Sequence, residues 1–192
     1  PGGEKEEKIM ALVLTDDQKM IRESADGFFK TEAPVAQHRR LRDTADATGF
    51  DRSTWAKMAE MGFAGVLVPE AHGGAGFGHV AAGLIMEAMG RNLSAAPMLS
   101  TGILATTGLV AGGTADQQAK YLPLIAEGKR LFALAADEAA RHTPALVEAT
   151  ATPSGNGFKL NGTKGFVLDG HVADTLIVAA RTAGDSRDSD GI

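Results

Sequence analysis

The hydrophobic period of this chain changes once, close to Gly128, and that change limits its architecture more than any other feature. Before it, apolar residues recur at helical spacing and the segments are punctuated by capping residues and glycines. After it, short runs alternate and are separated by Gly/Asn turns. Helices segregated from strands imply an α+β chain of separate units, not the alternating layers of a parallel α/β fold. The sequence therefore divides into an all-α domain over 14–129 and an antiparallel, barrel-like β domain over 130–192. Residues 1–13 read as a tag or flexible N-terminus, with Met10-Ala11-Leu12 resembling a native start. The polar stretch from Ala183 to Asp190 would normally lead into another strand, which suggests a fragment.

The expected elements have local causes. Thr15-Asp16-Asp17-Gln18 is a capping box, opening a helix whose Met20, Ile21, Ala25, Phe28 and Phe29 share a face and which ends before Pro34. Val35–Arg42 is a short second helix. Ser53 or Thr54 caps a third, carrying Trp55 and Met58. Val80–Met89 is a fourth, stopped by Gly90, and Leu99–Ala111 a fifth, stopped by Gly112-Gly113. Thr114-Ala115-Asp116-Gln117 is a second capping box, with Pro123 starting a fresh turn that runs to Gly128. Strands are expected at Leu131–Ala136, Leu146–Thr152, Phe158–Leu160, Lys164–Leu168 and Thr175–Ala180, with Ser154-Gly155-Asn156-Gly157 as a hairpin turn.

Between Trp55 and Arg91 runs WAKMAEMGFAGVLVPEAHGGAGFGHVAAGLIMEAMGR: helix, glycine stop, buried connector, glycine-rich loop, helix. Gly76-Phe77-Gly78-His79-Val80-Ala81 fits the dinucleotide pattern G-x-G-x-x-A, but the position about twenty residues on that should carry a ribose-binding acid is Ala96. No βαβ alternation follows either. These glycines are therefore expected to turn the backbone between two packed helices, not to cradle phosphate. Composition removes other classes. A net charge of −5 without a basic stripe argues against nucleic acid, and the five histidines lack metal-ligand spacing. With no cysteine there is no disulfide or thiolate chemistry, as suits a cytoplasmic protein, and no apolar run is long enough to span a membrane.

The Trp55–Gly78 run, the segment Gly113-Thr114-Ala115-Asp116-Gln117-Gln118-Ala119-Lys120-Tyr121-Leu122-Pro123, and Leu160-Asn161-Gly162-Thr163-Lys164-Gly165-Phe166-Val167 together resemble the acyl-CoA dehydrogenase family in order and spacing. The resemblance implies FAD as cofactor, an acyl-CoA thioester as substrate, electron-transfer flavoprotein as electron acceptor, and a homo- or hetero-oligomer such as a tetramer. In that family a glutamate of a C-terminal helical bundle removes the α proton while the β hydrogen leaves as hydride to flavin N5. No residue of this chain is therefore expected to be the base; Glu87 reads as a solvated or interfacial side chain, and Glu138 is not assigned that role. The resemblance places flavin contacts at Leu134, Ala136, Asp137, Thr143, Phe166 and Leu168. Asp137 stands where the family has threonine, His142 where it has glycine, Thr143 where it has serine, Phe166 where it has tryptophan and Leu168 where it has a hydroxyl residue. Those departures also suit a non-catalytic or partner-dependent subunit of a heteromeric dehydrogenase, and, in a third reading, an interaction module without flavin.

Overall fold

The computed structural model describes residues 13–188 and 190–192; the expectations for residues 1–12 lie outside them. Among the described residues, six α-helices and four strands follow in order. Helix α1 (Asp16–Glu32) opens with the expected capping box, both reciprocal bonds being present, and buries Ala25 and Phe29 on one face. It packs along α4 (Gly78–Asn92), which contributes Ala81, Ala82, Ile85, Ala88 and Met89 to the same core. Phe28 and Phe29 meet Phe63 edge-on and stacked at centroid separations of 5.6 and 5.9 Å. α2 (Val35–Asp43) flanks this core through Leu41, and α3 (Arg52–Glu60) enters it through Trp55 and Met58. The Trp55 indole N–H donates to Gly128 O at 3.1 Å, tying α3 to the end of α6 (Ala115–Ala126).

Several boundaries differ from the sequence reading. The cap of α3 is Asp51, whose Oδ1 accepts from Ser53 N and Thr54 N at 2.9 and 3.1 Å. Thr54 is buried inside the helix, where its hydroxyl accepts from Gln37 Nε2. α4 passes through Gly90 and stops at Leu93, in left-handed conformation at φ 51°. Pro123 lies within α6 and starts no new turn. The helix bears the missing donor because Leu122 and Ile125 on either side are wholly buried anchors. The expected helix over Leu99–Ala111 begins as a π-helical segment, Met98–Ala105, and only then becomes α5 (Thr106–Gly112).

Val66 and Val68 are buried, as expected of a connector, and the glycine loop folds back on them through Ala75 N to Gly65 O and Phe77 N to Val66 O, both 3.0 Å. Gly73, Gly76 and Gly78 have positive φ. Gly74 is required for a different reason: a Cβ there would lie 2.0 Å from Val68 O.

The strands are β1 (Phe132–Ala135), β2 (Thr150–Ser154), β3 (Gly157–Asn161) and β4 (Thr175–Val178). β2 and β3 form the expected antiparallel hairpin, and φ is positive at Gly155 but not at Asn156, the signature of a type II′ turn. β1 and β4, however, pair in parallel, Phe132 opposite Thr175 and Ala135 opposite Val178, which corrects the expectation of a purely antiparallel unit. Their connection is the whole 136–174 excursion, long enough to carry the chain back to the same end of the sheet. Lys164–Leu168 is not a strand. Phe166 and Asp169 both take positive φ, which breaks the pleat, and Gly165 N bonds Asp137 O outside any ladder. Tyr121, Leu122 and Ile125 of α6 and Leu109 of α5 pack on Phe132 and Ile177, so helices and strands share a second core.

Candidate functional site

Parallel pairing gives β1 two unlike edges. Leu131 O accepts from Thr175 N and Ala135 O from Ala179 N, so alternate residues 131, 133 and 135 point their backbone groups at β4. Residues 132, 134 and 136 face the other way, onto an edge with no neighbouring strand among the described residues. Thr101, fully buried on the π-helical segment, closes one end of that edge. Its hydroxyl accepts from Phe132 N and donates to Phe132 O, each at 2.9 Å. Lys164 Nζ closes the other end by donating to Ala136 O at 3.1 Å. Between them the backbone groups of Leu134 have no partner among the described residues. One amide and one carbonyl are thus left open between satisfied neighbours, available to a hydrogen-bonding partner.

The 164–171 segment forms the facing wall. Gly165 N donates to Asp137 O at 2.9 Å, bringing Phe166 and Leu168 alongside the β1 exit. Phe166 projects outward with 78% of its surface exposed, and Leu168 is 47% exposed; neither is strand core. A cavity of about 470 Å³ lies here, lined by Ala135, Lys164, Val167, Gly170, Leu176 and Val178. A second, more apolar cleft of about 520 Å³ has Leu168 in its wall. Met86, Met89, Ala95, Ala96 and Leu99 line it, and His171 borders both cavities. Asp169, at the rim of this cleft, accepts from Ser100 Oγ at 2.6 Å, so two consecutive hydroxyls of the π-helical segment hold the two walls. Extra turns of this kind are rare and recur where a helix must aim side chains off its regular faces.

Of the six anticipated flavin contacts, Leu134 lies on the outer edge of β1, Ala136 and Asp137 at its exit, and Phe166 and Leu168 on the 164–171 segment; none of the six lines the 470 Å³ cavity, and Leu168 lines the 520 Å³ cleft. Thr143 lies in an exposed loop and its hydroxyl is spent on Arg141 O at 3.2 Å. The Asp137 carboxylate pairs with His142 Nδ1 at 2.8 Å, and not with Arg141. Thr101, Ser100, Lys164 and Glu138 escaped the sequence reading as site residues. The one available signal was two adjacent hydroxyls inside an apolar helical run.

Glu138 and Lys164 form an ion pair of 2.6 Å with side chains 10% and 9% exposed. Burial works against the charge on Glu138 more than any single partner favours it. Together, however, the Lys164 ammonium and the backbone N–H groups of Ala149 and Glu148 hold its carboxyl below the usual glutamate range. A carboxylate so occupied is a poor proton acceptor. Glu87 is half exposed and pairs with Arg91, as anticipated for a solvated side chain. No cluster of metal-ligating side chains and no helix long and apolar enough to cross a membrane occurs among the described residues.

Known proteins resemble this chain over most of its length. Isovaleryl-CoA dehydrogenase of Arabidopsis thaliana is 32% identical over 176 residues, covering 90% of this chain and 42% of that protein. A 3-(aryl)acrylate reductase of Clostridium sporogenes is 32% identical over 176 residues, covering 89% of this chain and 45% of its own length. Among solved structures, the ChsE4–ChsE5 complex of Mycobacterium tuberculosis superposes with a TM-score of 0.79 at 28% identity, over 90% of this chain and 46% of that one. The chain thus spans less than half the length of the relatives it matches. The family model described as acyl-CoA dehydrogenase, N-terminal domain, matches residues 15–129, and the chain belongs to the acyl-CoA dehydrogenase family.

Proposed function

We propose that this chain is part of an FAD-dependent acyl-CoA dehydrogenase that desaturates an acyl-CoA thioester between Cα and Cβ. The observation that carries the reading is the unpaired backbone edge at Leu134, set between the Thr101 and Lys164 clamps and beside the exposed Phe166. The chain's own groups fit a flavin there: backbone donors and acceptors for the polar ring edge, and Phe166 and Leu168 as apolar cover. FAD, when bound, supplies the hydride acceptor at N5. Leu134 would orient it through its open backbone groups with Ala136 beside it, Phe166 and Leu168 would exclude water from its face, and the Asp137 carboxylate is held by the His142 ring at Nδ1. The apolar cleft with Leu168 in its wall suits the acyl portion of the substrate. The proton-abstracting base is assigned to no residue of this chain, consistent with the occupied carboxylates of Glu138 and Glu87.

Electron-transfer flavoprotein is the proposed acceptor, a homo- or hetero-oligomer the proposed assembly, and the cytoplasm the proposed location, for which the cysteine-free sequence is suited. The unit boundary is proposed at 129/130. A barrel-like β domain is supported by the Thr150–Arg181 bridge, which joins the β2–β3 hairpin to the extension of β4. A second reading, a partner-dependent or non-catalytic subunit, is favoured by Asp137 and Leu168 and by the likeness to a two-component complex. The visible spectrum of the purified full-length protein tests both. Flavin absorbance that bleaches anaerobically on acyl-CoA addition supports the first. Flavin that bleaches only with a partner subunit supports the second, and no flavin after FAD reconstitution refutes the first.

A further inference from the structure

Three separate stretches of chain meet on one buried ion pair. Glu138 Oε1 accepts from Lys164 Nζ at 2.6 Å and from Ala149 N at 2.9 Å, and its Oε2 accepts from Glu148 N at 2.7 Å. Lys164 Nζ also donates to Ala136 O at 3.1 Å. The β1 exit, the 148–149 return and the 164–165 wall are thereby held to one another by charge-assisted bonds, and Gly165 N to Asp137 O follows from that alignment. Residues 139–147 leave and re-enter the fold through Glu138, so the excursion bearing Arg141, His142 and Thr143 is anchored at its base by the same carboxylate.

We propose that Lys164 and Glu138 are the positioning pair of the flavin site, fixing the separation of the Leu134–Asp137 edge from the Phe166–Leu168 wall. The proposal rests on the flavin reading above and adds residues that touch no reacting atom. The geometry favours positioning over catalysis: the ammonium is engaged by one carbonyl and one carboxylate, and the carboxylate by three donors, so both groups are occupied in tying backbone segments together. The walls themselves supply little stiffness, since 164–168 lies in no ladder and β1 has only one strand neighbour.

The test uses the full chain with Lys164→Met, Lys164→Arg, Glu138→Gln, the double variant Glu138→Gln/Lys164→Met, and Ile85→Ala as a control for lost stability in the helical core. Two quantities are measured: amide exchange at Gly165, which needs no cofactor, and the FAD dissociation constant with the visible circular dichroism of bound flavin. Lys164→Met should speed Gly165 exchange and weaken FAD at least tenfold with an altered flavin spectrum. Lys164→Arg should recover most of both, and the double variant should be no worse than Lys164→Met, because the pair acts as a unit. Ile85→Ala should leave FAD affinity within twofold. Wild-type Gly165 exchange in Lys164→Met, or equal weakening of FAD by Ile85→Ala, overturns the proposal. A wild-type chain that takes up no FAD refutes the flavin reading instead, and Gly165 exchange then still decides whether the pair sets the alignment.

Discussion

Replacing Thr101 by valine removes one hydroxyl while keeping shape, and isolates the joint between the helices and the first strand. The hydroxyl makes two 2.9 Å bonds, to Phe132 N and Phe132 O, at a residue with no exposed surface. Valine fills the same volume and is compatible with a helical backbone, so no cavity opens. What remains is an amide and a carbonyl buried with no acceptor or donor, each costing about 1–3 kcal/mol. Part is recovered because the methyl suits an apolar surrounding, leaving a net loss of about 2–4 kcal/mol. For a chain of this size that lowers the melting temperature by about 5–15 °C. Urea unfolding followed by far-ultraviolet circular dichroism reads the change as a lower midpoint at unchanged slope. Thr101→Ser keeps both bonds and deletes a methyl, so its cost should be only about 1 kcal/mol. The reasoning fails if valine is tolerated within about 0.5 kcal/mol, or if serine is as damaging as valine.

Three further outcomes follow from the structure. Gly74→Ala drives a Cβ to 2.0 Å from the Val68 carbonyl, so the loop must part from its connector; a loss of at least about 2 kcal/mol in thermal unfolding is expected. Asp51→Ala should cost about 1 kcal/mol through the lost cap of α3, whereas Thr114→Ala should cost a similar amount through α6, both measured by denaturant midpoint. The folded-state carboxyl of Glu138 sits below its ordinary value, so the stability it contributes is fully present above the usual glutamate range and is lost as pH falls through that range and below it. The acid limb of the stability–pH curve should therefore flatten in Glu138→Gln, and an unchanged limb would contradict the assigned environment.

Much of the fold was legible in local sequence because its causes are local. Both capping boxes, Thr15/Gln18 and Thr114/Gln117, act within one turn, and the period of α1 and α4 states which face is buried. The Ser154–Gly157 turn set the β2–β3 register for the same reason. Errors arose where a partner distant in sequence decided the matter. Asp51 displaced Thr54 as a cap because Gln37 claimed the Thr54 hydroxyl, and Pro123 was carried inside α6 by the burial of Leu122 and Ile125. The parallel pairing of β1 with β4 is a relation between residues about forty apart, with no trace in either strand's composition.

The candidate site shows the same division. The sequence by itself determined the helix-then-strand order and the family, because those depend on residue types in a fixed linear order. Only the tertiary structure decided that Leu134 is the open position on β1, that His142 and not Arg141 answers Asp137, and that Lys164 and Glu138 draw 136, 148–149 and 164 to one point. Hydrogen-bond partnership depends on separation and direction in space at the scale of 3 Å, and a sequence records neither until the chain has folded.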